Sequence, residues 1–218
     1  GWFGGSYNGN DYTIQNLNIY TEKINTTGLF GFTLDAELQN IILYAPEGDG
    51  LIRSYSPEGD NNWYAVGALV GLAANTAGSD RVISNCAVAG YVILDDGGCA
   101  YGGGGVGGLV GICNMALENC TAVTDIRLNF THSDSARNVR AGGLVGSCQR
   151  GITNCYAGGS IQADLSVKQR NSRVHAGGIV GGYFMKTLQI NRVIIGADTE
   201  GSTGRTNPTI QNCYSYVR

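Results

Sequence analysis

The sequence predicts an all-β fold: a single-domain parallel β-helix (β-solenoid) over residues 1–218, with about six to seven coils and one coil per 35–40 residues. Three observations predict it. Two short sequence blocks recur, interleaved, at near-constant spacing. Glycine reaches 35 of 218 residues while proline stops at 3, which separates the chain from collagen and from Pro/Gly linkers. No segment sustains an apolar period of 3.6, so almost no helix is expected.

The first block reads Gly28-Leu29-Phe30-Gly31 and returns as Ala68-Leu69-Val70-Gly71, Gly108-Leu109-Val110-Gly111, Gly143-Leu144-Val145-Gly146 and Gly178-Ile179-Val180-Gly181. Its last glycines are separated by 40, 40, 35 and 35 residues. The second block is apolar, any residue, Asn, apolar. It stands at Ile14–Leu17, Leu38–Ile41, Ile83–Cys86, Leu117–Cys120, Ile152–Cys155 and Ile210–Cys213. A step of 35 from Asn154 and Cys155 reaches Gln189 and Ile190, which read as a degraded copy. A third, weaker element is a Val/Ile-rich strand, as in Gly90-Tyr91-Val92-Ile93 and Gly159-Ser160-Ile161-Gln162. Each repeat therefore offers three short strands.

Such a unit cannot bury its own apolar face, so successive units stack and pair each strand with its equivalent, in parallel. Glycine allows close backbone approach at the corners. Asparagine tolerates the left-handed region and bonds its own backbone in turns, so its column reads as structural. Two columns are expected inside: Leu29, Leu69, Leu109, Leu144 and Ile179, and Leu17, Ile41, Cys86, Cys120, Cys155, Ile190 and Cys213. In the second, cysteine replaces Leu and Ile as a small hydrophobe rather than as a metal ligand. Stacked thiols could still oxidise.

Composition narrows the functional classes. A net charge of −3 with no basic stripe argues against a nucleic-acid partner. No apolar run approaches 18 residues, so no membrane insertion by this segment is expected. The chain starts at Gly1-Trp2-Phe3-Gly4, already patterned, which predicts a fragment whose export signal and anchor lie outside it.

The five blocks, each Gly-Leu, an uncharged residue, then Gly, with Ala68 and Ile179 as mild departures, resemble the GLUG-motif repeats of bacterial cell-surface, adhesin-like proteins. Tyr7 to Leu17 is similar to the coil that often precedes them. The resemblance implies an exported bacterial protein, extracellular or at the cell surface, and carries over no catalytic residue.

The chain holds no HExxH, GxSxG or P-loop. Gly102 to Gly105 reads as a loop or tight turn, Asp95-Asp96 as a solvated turn, and His132 and His175 as surface or rim positions. The step from Asn40 to Asn85 is 45 residues, and the extra length is assigned to Ala45–Trp63. That stretch holds two Pro-Glu-Gly-Asp turns at Pro46 and Pro57, with Tyr55, Trp63 and Tyr64, the candidate ligand-binding residues, in or next to it. Exposed aromatics there would contact a host protein or a glycan. The acidic turns could hold calcium through oxygen ligands, although EF-hand spacing is absent; no other cofactor is implied. The expected function is a non-enzymatic structural or adhesive segment. Its rivals are a recognition module attached to a bacterial immunoglobulin A peptidase and a β-helical polysaccharide lyase or glycosidase.

Overall fold

The structure, a computed structural model, describes residues 1–45, 51–55, 63–95, 104–130, 138–164, 173–183, 188–190, 193–195 and 209–217. Among these there is no helix. Almost all strands lie in four parallel sheets, and each sheet takes its strands in the order of the repeats. Sheet 1 joins Thr26–Thr27, Ala65–Gly67, Gly104–Gly107, Asn138–Gly142 and Arg173–Gly177. Sheet 2 follows with Phe30–Leu34, Val70–Ala74, Val110–Asn114, Val145–Cys148 and Val180–Tyr183. In sheet 3 are Ser6–Asn8, Glu37–Gln39, Val82–Ser84, Ala116–Glu118, Ile152–Thr153 and Ile210–Gln211. Sheet 4 contains Thr13–Gln15, Ile42–Tyr44, Ala87–Asp95, Thr121–Asn129, Tyr156–Asp164 and Tyr214–Val217, with Ile19–Glu22 and Ile52–Tyr55 alongside.

The register follows the glycine blocks. Phe30 pairs with Val70, Val70 with Val110, Val110 with Val145, and Val145 with Val180. The third element also aligns, Gly90 with Thr124 and Thr124 with Gly159.

Four expectations need correction. Each repeat supplies four strands, not three, because a separate strand, such as Gly104–Gly107, precedes each glycine block. Gly104 and Gly105 of the tetraglycine are thus buried strand residues rather than a turn. The first Asn copy is displaced: Tyr7 pairs with Leu38 in sheet 3, while Ile14 pairs with Leu43 in sheet 4, so Leu17 is not in the column of Ile41. The copy at Gln189-Ile190 is not one. Leu188–Ile190 forms an antiparallel hairpin with Val193–Ile195, and Ile152 pairs directly with Ile210.

The fourth correction concerns the extra length. Tyr55 to Ala65 covers 10 positions, as does Asp95 to Gly105 in the next repeat, so no insertion lies there. Residues are gained at two places, one inside Ala45–Trp63 and one beyond it. Ala87 pairs with Ile42, 45 behind, but Val92 pairs with Ile52, 40 behind, so five residues are spliced between Tyr44 and Ile52. The remainder lies in the turn between Ala74, which pairs with Leu34, and Ile83, which pairs with Leu38. There Asn75 Nδ2 donates to Ser79 O at 3.2 Å and Arg81 O at 2.7 Å. Asp35 secures the same turn by accepting from Thr76 N and Oγ1, both at 2.8 Å. Burial raises the Asp35 carboxyl, but the bonds from Thr76 and Ser79 and the Arg81 charge outweigh it, and its pKa falls.

Inward residues of all four sheets, among them Leu38, Leu43, Val70 and Val106, meet in one core. Leu69, Leu109 and Leu144 are wholly buried, while Leu29 and Ile179 of the outermost repeats are only partly so. Ile41, Cys86, Cys120 and Cys155 are also buried, and Cys213 is half-exposed. Among the described residues the six cysteines are free thiols. Each thiol of this column donates to the carbonyl two residues earlier, as Cys120 does to Glu118 at 3.2 Å. Cys120 N also donates to Cys155 Sγ at 3.3 Å. Hydrogen bonding with Cys120, against the effect of burial, lowers the Cys155 pKa to about 7.

Sheets 1 and 2 lie so close that only glycine fits between them at Gly71 and Gly111. A Cβ on Gly71 would stand 2.6 Å from Thr27 N, and one on Gly111 would strike Val66 N. Beside this seam a second small cluster joins Ala65, Leu72, Ala74, Ile112 and Leu34, with Phe32 and Trp63 packed on it.

Candidate binding face

Side chains on a strand alternate between faces, so sheet 4 has one face in the core and one outside. Val88, Ala122 and Ala157 share an inward row; Val92 and Ile126 share another. The residues between them point outward. Seven of the 12 tyrosines fall on that outer face: Tyr20, Tyr44, Tyr55, Tyr91, Tyr156, Tyr214 and Tyr216. Tyr214 is 70% exposed and Tyr216 63%. These rings are presented by strands whose inward side chains pack toward the core.

The face has two zones. At one end Tyr156 and Tyr214 pair with ring centroids 4.9 Å apart, and Val123, 45% exposed, adjoins them. Val123 shares its outward row with Tyr44, and through Gly158 with Tyr216. The other zone is charged. Arg53 Nε lies 2.6 Å from Asp95 Oδ2, and Asn129 Nδ2 donates to Asp95 Oδ1 at 2.8 Å. Ser160 Oγ donates to Asp125 Oδ1 at 2.7 Å, and the Arg127 guanidinium sits 4.8 Å over the Tyr91 ring. Aromatic faces that are exposed and preordered suit stacking on sugar rings or anchoring a protein partner at little entropic cost.

The three residues predicted from sequence separate in the structure. Tyr55 belongs to the face, half-exposed in register with Asp95. Trp63 is half-buried and packs on the small cluster. Tyr64 is wholly buried in the main core, so it is withdrawn from the candidate set. Its neighbours explain this: the alternation places Tyr64 and Val66 on the inward side just before the glycine seam. The Pro46 and Pro57 turns proposed for calcium, Asp96 and His132 lie outside the described residues. Asp95 is a strand residue held by Arg53, and His175 is exposed at an edge strand of sheet 1. Among the described residues no group of three or more His, Cys, Asp or Glu is placed to hold a metal ion. Four buried polar atoms there have no hydrogen-bond partner: Asn75 Oδ1, Thr124 Oγ1, Arg140 Nη1 and Ser147 Oγ. Each such group costs about 1–3 kcal/mol when left unpaired.

No family model, curated protein or solved structure matches this chain. The binding face therefore rests on geometry. A sequence signal for it existed but was weak: tyrosines at alternating positions, Tyr214-Ser215-Tyr216 above all, mark an outward strand row only once the register is known.

Proposed function

We propose that this chain is a single parallel β-solenoid of GLUG-type repeats that serves, without catalysis, as a surface-exposed binding segment, and that the tyrosine-bearing outer face of sheet 4 takes a glycan or host-protein ligand. The solenoid reading is supported by four parallel sheets that add one strand per repeat, in chain order, around one core. The Gly-Leu-Val-Gly blocks support the repeat type and, with it, an extracellular or cell-surface setting. The observation that carries the binding reading is the concentration of tyrosines on one outer sheet face, two of them, Tyr156 and Tyr214, paired at 4.9 Å. The non-enzymatic reading is supported by carboxylates already engaged, Asp95 with Arg53 and Asn129, and Asp125 with Ser160.

The test is a glycan and host-protein array probed with the wild-type chain and with a Tyr44→Ala/Tyr214→Ala/Tyr216→Ala variant. All three side chains are exposed, so circular dichroism and thermal midpoint should stay near wild type. Binding to any hit should fall at least tenfold. A hit bound equally by the variant removes the face from the proposal, and turnover of a polysaccharide by the wild-type chain overturns the non-enzymatic reading.

A further inference from the structure

The small cluster between sheets 1 and 2 changes character along the repeats. In sheet 1, Ala65, Gly105, Arg140 and His175 occupy one row; in sheet 2, Leu72, Ile112, Ser147 and Gly182 occupy the facing row. The rows touch. Ala65 and Leu72 share the cluster, and a Cβ on Gly105 would stand 2.8 Å from Ile112 Cγ1. One repeat beyond Gly105 and Ile112 the same layer is polar. Ser147 takes the place of Ile112 and is wholly buried, with Oγ unpartnered. Arg140 takes the place of Gly105 and lies across Gly182, where a Cβ would come within 2.5 Å of its Cδ and 3.0 Å of its Nε. Glycine at 182 is what admits the guanidinium. Arg140 Nη1 is buried and unpartnered as well, and no carboxylate pairs with this arginine among the described residues.

A guanidinium N–H and a hydroxyl, both dehydrated and both lacking an acceptor, share one layer next to an exposed histidine. Arginine presents its donors in a planar fork suited to a two-oxygen anion, and a serine hydroxyl can donate beside it. We propose that Arg140 and Ser147 form a binding site for one oxyanion group, a carboxylate, sulfate or phosphate, which enters past His175. Desolvation, which lowers the Arg140 pKa, strengthens the attraction of the charged guanidinium for an anion in the same layer. The site is separate from the tyrosine face and stands or falls without it.

The experiment titrates the 218-residue chain with sodium sulfate, sodium phosphate or sodium acetate at fixed ionic strength. Thermal midpoint and the NMR shifts of Arg140 Hε and the Ser147 amide are followed. Sulfate and phosphate stabilise most proteins by exclusion, so the diagnostic is a saturable component. At least one anion should give one, and the three arms identify which oxyanion the site takes. Arg140→Met keeps the stem over Gly182 and removes the charge; Ser147→Ala removes the orphaned hydroxyl. Each should weaken the apparent affinity at least tenfold. Ser147→Ala should in addition melt no lower than wild type without anion, a combination that a merely structural serine does not produce. If Arg140→Met does not fold, Ser147→Ala alone decides. No saturable response to any of the three anions, or an unchanged response in Ser147→Ala, overturns the site.

Discussion

Asn119 sits at φ 53°, and Asn16, Asn40, Asn85, Asn154 and Asn212 all lie between 51° and 55°. The second block is therefore a conformational signal before it is a contact. Asn enters the left-handed region more readily than other side-chain-bearing residues, because its short amide can satisfy local backbone groups. The ladder is a second layer of stabilisation: Asn154 Nδ2 donates to Asn119 Oδ1 at 3.2 Å, and Asn212 Nδ2 to Asn154 Oδ1 at 3.1 Å. These two roles separate by substitution. Asn119→Ala loses both and should cost about 1–2 kcal/mol from the backbone alone. Asn119→Gly loses only the exposed side-chain bond and should cost a few tenths as much. Urea denaturation of both variants measures the difference, and equal losses would assign the column to the ladder rather than to φ.

At the scale of elements, the seam between sheets 1 and 2 explains the glycine content. Gly111 has an ordinary negative φ, so its requirement is steric and not conformational. Gly78 is the opposite case, with φ 83° and open space around its Cβ position. Gly111→Ala must push apart two backbones in the middle of the core and should destabilise by about 1–3 kcal/mol, the range for overpacked interiors, read as a lower urea midpoint at unchanged slope. Much of this layer was legible in the sequence, because the five glycine blocks define the register of sheet 2 residue by residue. What escaped reading has identifiable physics. Sheet 1 was missed because its strands, such as Ala65–Gly67 and Gly104–Gly107, are buried on both sides and show no alternation. The Asn16 copy was misplaced because a left-handed Asn serves a bend in sheet 4 as well as in sheet 3. The segment after Tyr183 was misread because spacing cannot distinguish a degraded copy from an excursion; Leu188 pairs antiparallel with Ile195 instead. Of the candidate site, Tyr55 was found for the wrong reason, since it belongs to a regular strand and not to an insertion.

For the whole molecule, the proposed solenoid would stack in one dimension, so each repeat would contact only its neighbours and stability would be a sum of repeat and interface contributions, with the extremes held from one side only. Burial along sheet 2 is in keeping with that reading. Leu69, Leu109 and Leu144 are wholly buried, whereas Leu29 and Ile179, their equivalents just before the first and last strands of sheet 2, remain partly exposed. Tyr214–Val217 likewise closes one edge of sheet 4 with three exposed residues out of four. Opening free energy should therefore rise from both ends toward the middle. Native-state hydrogen exchange reads this directly. Amides of Val70–Ala74, Val110–Asn114 and Val145–Cys148 should exchange slowest and together, while those of Thr13–Gln15 and Tyr214–Val217 exchange earliest. Leu109→Ala, at the centre of the column, should lower protection in the repeats on both sides of it, whereas Ile179→Ala should affect little beyond its own edge. A globular fold with one cooperative unit would instead show the same protection loss everywhere for both variants, and that result would remove the solenoid reading.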